Sequence, residues 1–186
     1  MTFVDPTTIH NPATSTIAPA SWGDTVNDDL NFLGRDKPYA KIYHNIDQVP
    51  VNVTNAWSPL AMNSEAYDNQ GMHSNVTNNS RLTCPIGGIY MFGWAIEYLT
   101  FNEGNINRNI GAVFINGGAT EFAVQQHMLP ISAGSNRMRL SGSTFHRFSA
   151  THYMELNFYT TQTSLGFGSS VLYADKCTLW AMWVAV

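Results

Sequence analysis

The segment Thr178–Val186 has no polar face. Read as a strand, it places Leu179, Ala181, Trp183 and Ala185 on one side and Trp180, Met182, Val184 and Val186 on the other, because side chains alternate across the pleat. Ile89–Leu99 behaves in the same way. Tyr90, Phe92, Trp94, Ile96 and Tyr98 share one side; Ile89, Met91, Gly93, Ala95, Glu97 and Leu99 share the other. A strand in a sandwich with one solvated face alternates apolar with polar. A single sandwich built from 186 residues hides only one such face. The second face needs another cover, and the simplest cover is a second copy of the same chain. The pattern therefore predicts an assembling, structural protein.

The polar positions agree with a β-rich reading. Charged residues make up 12% of the chain, about half the ~25% usual in soluble domains. Asn, Thr, Ser and Gly take their place, and these residues suit turns better than helix interiors. Hydrophobic residues reach 44%, enough for a core. With 9 Lys and Arg and a net charge of −4, the chain lacks the phosphate-neutralising capacity that nucleic-acid affinity needs. No apolar run of ~18 residues is present, so no membrane span is expected. Met1–Thr8 shows no basic segment followed by an apolar one, so no secretory signal is read there. One disulfide is arithmetically possible between Cys84 and Cys177, but the composition favours two reduced, buried thiols.

Organisation changes near residue 36. Thr2–Ala20 carries Pro6, Pro12 and Pro19 among Thr, Ser and Asn, the composition of an extended arm without a core of its own. Ser21–Leu33 reads as one short helix, with Ser21 as cap, Asp24 at the capping-box position and Gly34 as the stop. Trp22, Val26, Leu30 and Leu33 form its apolar stripe, which in so short a helix must dock, either on a partner or on the chain's own β-domain. From Lys37 onward strands are expected near Tyr39–His44, Ser80–Cys84, Gly88–Thr100, Arg108–Asn116, Thr120–His127, Arg137–Arg147, His152–Thr161 and Lys176–Val186. Turn chemistry separates them, with Asn116-Gly117 the clearest hairpin signal. Strands at this spacing predict a β-sandwich of jelly-roll type. His152–Thr161 alternates Met154, Leu156 and Phe158 with Tyr153, Glu155, Asn157 and Tyr159, so a wet side and a place in the outer sheet are expected for it.

Four segments in order resemble the C1q/TNF-like family. They are Asn63–His73, which contains Tyr67-Asp68 and Gly71; Gly87-Gly88-Ile89-Tyr90-Met91-Phe92; Val113-Phe114-Ile115-Asn116-Gly117; and the final strand Thr178–Val186. The resemblance spans roughly Tyr39–Val186 and departs from the family at Phe148–His152, where a glycine-aspartate is usual. It implies a compact homotrimer with the first, third and last strands toward the axis. Tyr90, Phe92, Trp94, Trp180, Met182 and Val184 are the interface candidates. Separately, Thr2–Pro6, Pro19–Val26 and Leu30–Leu33 resemble the opening of tailed-bacteriophage structural proteins, in which an attachment segment precedes a C1q-like domain.

No chemistry-bearing constellation emerges. His10, His44, His73, His127, His146 and His152 include no pair at metal-ligand spacing, although His146 and His152 flank a turn and can approach each other. Calcium near the axis, known in some members of the family, finds no acidic cluster here to hold it. No Gly-x-Ser-x-Gly elbow is present, and Asp28-Asp29 reads as a solvated pair. Glu97 stands out as an acid on a two-faced strand. Either it marks a strand end reaching water, or a contact across a subunit interface with Arg108, Arg137 or Arg139 offsets the cost of burying it. Trp57 and Tyr67 are loop aromatics able to meet a glycan, with core packing the simpler role for Trp57.

The expectation is therefore an all-β, C1q/TNF-like jelly-roll sandwich at 37–186, preceded at 1–36 by an extended attachment arm with a helix at 21–33. It is not an enzyme, and no catalytic, cofactor or metal residues are assigned. The resemblances imply a trimeric capsid decoration or cement protein on the outer surface of a virion assembled in the host cytoplasm. It would bind the major capsid protein through Phe3, Trp22, Val26, Leu30 and Leu33. The alternative is a tail or fibre module that recognises host glycan.

Overall fold

The computed structural model describes residues 20–32, 36–47, 56–101, 107–118, 121–129, 135–161, 171–172 and 174–186. The chain divides into two compact units, Met1–Lys37 and Pro38–Val186. In the first, helix α1 runs Ala20–Asn31. It opens ahead of Ser21, which therefore lies within the first turn and does not cap it, and that turn holds no acid. Val26 is half-buried and Leu30 is 62% exposed.

The second unit is a sandwich of two antiparallel sheets. One holds β1 (Tyr39–Tyr43), β3 (Ser64–Asp68), β5 (Gly88–Phe101), β8 (Ser135–Phe148), β10 (Val171–Leu172) and β11 (Thr178–Ala185). Its order runs β8-β5-β11-β1-β3, with β10 pairing the far end of β5. The other holds β2 (Ala56–Pro59), β4 (Arg81–Thr83), β6 (Asn107–Ile115), β7 (Glu121–Leu129) and β9 (Tyr153–Thr160). There β2 and β4 share one edge of β9, and β6 and β7 follow on its other side. The first, third and last of the expected strands (β1, β5 and β11) are neighbours in one sheet. β9 lies in the opposite sheet.

Local chemistry explains the joints. The turn after β6 places Asn116 at φ 54° and Gly117 at φ 64°, the left-handed pair that a tight hairpin requires. Asn116 Oδ1 also accepts from Tyr153 N at 2.8 Å, which ties the turn to β9. At Phe148–His152, where the family pattern is broken, Thr151 takes φ 70°. A β-branched residue adopts that conformation at a cost. The turn is held by Thr151 N donating to Cys84 O at 2.8 Å and Cys84 N donating to His152 O at 2.7 Å.

The core lies between the sheets. Tyr90, Phe92, Trp94, Ile96 and Tyr98 of β5 are all buried there with Leu179, Ala181 and Trp183 of β11. Met154, Leu156 and Phe158 of β9 meet them from the other sheet, and the Tyr98 and Phe158 rings lie 5.3 Å apart. Tryptophans sit where glycine leaves room. A Cβ on Gly111 would fall 2.3 Å from Trp94 Cη2, and one on Gly88 would fall 2.2 Å from Trp183 Nε1.

The side of β9 expected to be wet is only partly so. Tyr153, Glu155 and Tyr159 are half-buried and Asn157 is buried. In register with them, Ile110, Ala112 and Phe114 of β6 are buried as well. Trp57 of β2 helps cover this side, its ring 5.0 Å from Phe114 and 5.5 Å from Tyr159.

Candidate functional site

Register fixes what the outer face of the β1/β5/β8/β11 sheet presents. Phe145 pairs with Met91, Met91 with Met182, and Met182 with Tyr39. Directly opposed residues share a face, so these four side chains form one row across four strands. Phe145 is 58% exposed, Met182 44% and Tyr39 39%. Val184, 42% exposed, continues the patch along β11. This half of the face, bordered by the exposed Arg147 opposite Ile89, is largely apolar and open to solvent, which is unusual for a self-sufficient sandwich.

The sequence-derived interface set is divided by the structure. Met182 and Val184 belong to the exposed patch. Tyr90, Phe92 and Trp94 do not, because they occupy the opposite side of β5 and fill the protomer's own core. The indole of Trp94 is fixed there by a 2.8 Å hydrogen bond from Nε1 to Ala123 O. The alternation along β5 follows the sequence, but the side that faces inward is the one expected at the interface. Ile89 and Met91, half-buried on the outer side, take the place of those three.

Trp180 stands one row further along and begins a different surface. Ser143, Gly93, Trp180, Lys41 and Tyr67 follow one another in register. The indole lies over Gly93, where a Cβ would come within 2.6 Å of Trp180 Cζ2. Apart from Gly93, which the indole covers, this row and the next, Ser141, Ala95 and Thr178, line an open cavity of about 600 Å³, with Arg139 on its wall. Among the described residues its only charged side chains are Lys41 and Arg139. Neither makes an ion pair or hydrogen bond with another described residue. Tyr67, expected on a loop, lies in β3 and is 48% exposed on this wall, its ring 5.5 Å from Tyr39.

Glu97 has a partner in its own chain. Arg137, from the adjacent strand β8, donates through Nε to Glu97 Oε1. Arg137, one of the three arginines considered as a cross-subunit partner, thus reaches Glu97 within the protomer, because β5 and β8 pair along their full length. The two thiols are free and buried. Burial pushes Cys84 up to about 12, and Cys177 likewise, so neither is a poised nucleophile. His146 packs between Phe122 and Phe148, each ring 4.9 Å away. Desolvation first, and then the nearby His152, lower its pKa. Of the arm residues, Phe3 and Leu33 lie outside the described residues, as does the side chain of Trp22.

The motif Tyr67-Asp68 with Gly71 is structural. Asp68 Oδ1 accepts from Gln70 N at 3.2 Å and Met72 N at 3.0 Å, and Oδ2 accepts from His73 N at 2.8 Å. One carboxylate thus holds the turn in which Gly71 adopts φ 64°. Nearby, His73 meets Glu65 Oε1 at 2.9 Å and Asn79 O at 3.1 Å.

No family model matches the chain, and no curated protein matches it. Among solved structures it is similar to the globular domain of the zebrafish complement 1qA protein. That likeness has a TM-score of 0.56 at 11% identity and covers 80% of this chain and 97% of the other. It shows the fold: the sandwich is a C1q-like jelly roll.

Proposed function

We propose that this chain is a virion structural protein, a homotrimeric capsid decoration or cement protein. Residues 1–36 would hold it on the outer surface of the shell, against the major capsid protein. The observation that carries the reading is the exposed row of Phe145, Met91, Met182 and Tyr39, with Val184 beside it. A sandwich whose core is already complete gains nothing by displaying these side chains to water. Covering them with a second and third copy stabilises each by roughly 1 kcal/mol, given ~1.5–3 kcal/mol for full burial of such a side chain. The division at Lys37 and the resemblance of the first residues to phage structural proteins support a separate attachment segment. Three arms on one particle turn a weak contact into a firm one through effective concentration. Clamping neighbouring shell subunits would then stabilise the capsid.

The other placement, a tail or fibre module that meets host glycan, has one observation in its favour, the cavity between Trp180, Tyr67, Lys41 and Arg139. The two placements separate in a sedimentation experiment with undecorated capsids. The full chain is expected to pellet with the capsids saturably, and the chain starting at Pro38 to stay in the supernatant. A full chain that ignores capsids contradicts the decoration reading.

A further inference from the structure

The outer face of the sheet is split between two chemistries. Its apolar half runs through Phe145, Met91 and Met182. Its other half is concave and polar; among the described residues that line the concavity the charged side chains are the cations Lys41 and Arg139, although the chain carries a net charge of −4, and Glu97, opposite Arg139 in register, is held by Arg137. The cavity, about 600 Å³, lies within the ~300–1,000 Å³ typical of small-molecule sites. Ala95 and Gly142 line it with almost no side chain, while the Trp180 indole covers Gly93. Trp180 and Tyr67 offer broad apolar surfaces with polar tips, which suit the C–H face of a sugar ring. Ser141 and Ser143 supply hydroxyls for hydrogen bonding with ring hydroxyls. Arg139 and Lys41 have no anionic partner among the described residues. A guanidinium pairs with a carboxylate through two parallel hydrogen bonds.

We propose that this cavity binds an acidic carbohydrate, with a sugar ring against Trp180 and Tyr67 and its carboxylate on Arg139 and Lys41. The proposal stands with either placement of the protein. It rests on the trimer reading only in that copies meeting on the apolar half leave the polar half open.

The test uses the full chain in calorimetric titrations with tetragalacturonate and with sialyllactose. Carboxyl-reduced tetragalacturonate and lactose are the neutral counterparts, and inorganic phosphate is the simple anion. At least one acidic sugar is expected to bind about tenfold more tightly than its neutral counterpart. Arg139→Gln is expected to weaken it about tenfold, the loss of one charge-assisted contact. Light scattering on the same samples should show an unchanged mass. Binding of neither acidic sugar, equal binding of the neutral forms, indifference to Arg139→Gln, or phosphate binding as tight as the sugar's would each overturn the proposal. A trimer that binds no sugar removes the cavity's role alone. A monomer that binds acidic sugar removes the trimer reading and leaves the cavity.

Discussion

Replacing Asp68 by alanine removes the carboxylate that organises the turn between β3 and β4. Three backbone N–H groups lose their acceptor. Gln70 is exposed, and water replaces its bond at little cost. The amides of Met72 and His73 are part-buried. Hydrogen bonds to charged groups are worth ~1.5–3 kcal/mol each, so the two together amount to roughly 3–6 kcal/mol. The loss reaches the core, because Met72 is 2% exposed and its carbonyl accepts from Thr83 N at 2.7 Å. For a domain of this size each kcal/mol lowers Tm by about 2–4 °C, so a fall of roughly 10 °C is expected. Thermal unfolding followed by near-ultraviolet circular dichroism measures it, with wild type and variant at equal concentration because Tm of an oligomer depends on concentration. Asp68→Asn retains one oxygen acceptor and should lose about half as much. A Tm for Asp68→Ala within about 2 °C of wild type would refute the claim that this carboxylate holds the turn.

Three further predictions follow from the same geometry. Met182→Glu places a charge in the middle of the exposed row, where burial against another copy costs several kcal/mol per ion; sedimentation velocity at micromolar concentration should show monomers. Val76→Glu, on a loop and already 88% exposed, should leave assembly unchanged. Gly111→Ala puts a methyl 2.3 Å from a tryptophan ring that cannot swing away; overpacking of this kind costs ~1–3 kcal/mol, so Tm should fall by several degrees with the oligomer intact. His146 is held below the usual 6.5 in the folded chain, by desolvation and then by His152. As pH falls through 6.5, the unfolded chain takes up a proton that the folded chain resists, and stability drops. His146→Phe keeps the packing against Phe122 and Phe148 and removes the titration. Its Tm should therefore fall less than that of wild type between about pH 7 and pH 5.

Much of the sandwich was legible because its longest strands are strongly patterned. β9 alternates apolar with polar residues, β5 and β11 are continuous apolar runs of strand length, and the Asn116-Gly117 turn suits a tight hairpin. β2, β3 and β10 were not anticipated. The first contains Pro59 at its end, and the second is the polar run Ser64–Asp68 at a sheet edge, largely exposed. The third is only Val171-Leu172. None of these has a period to detect, and their pairing is dictated by the neighbouring strand. The two-faced nature of β5 was visible, but sequence alternation cannot say which face turns inward. Size settles it: the larger aromatic set, Tyr90, Phe92, Trp94 and Tyr98, fills the space between the sheets, and the smaller Gly93 and Ala95 lie under Trp180 and the cavity. The cavity itself had no sequence signature. Its residues come from five strands and meet only through register.

The central claim is that the apolar half of this sheet's outer face is covered by other copies of the chain. Light scattering coupled to size exclusion on the full chain, at a few micromolar, tests it most directly. The account predicts a mass three times that of the 20.6 kDa chain, unchanged on modest dilution. A mass of 20.6 kDa would contradict it, because Phe145, Met91, Met182 and Tyr39 would then stand uncovered in water and the inference from them to assembly would fail.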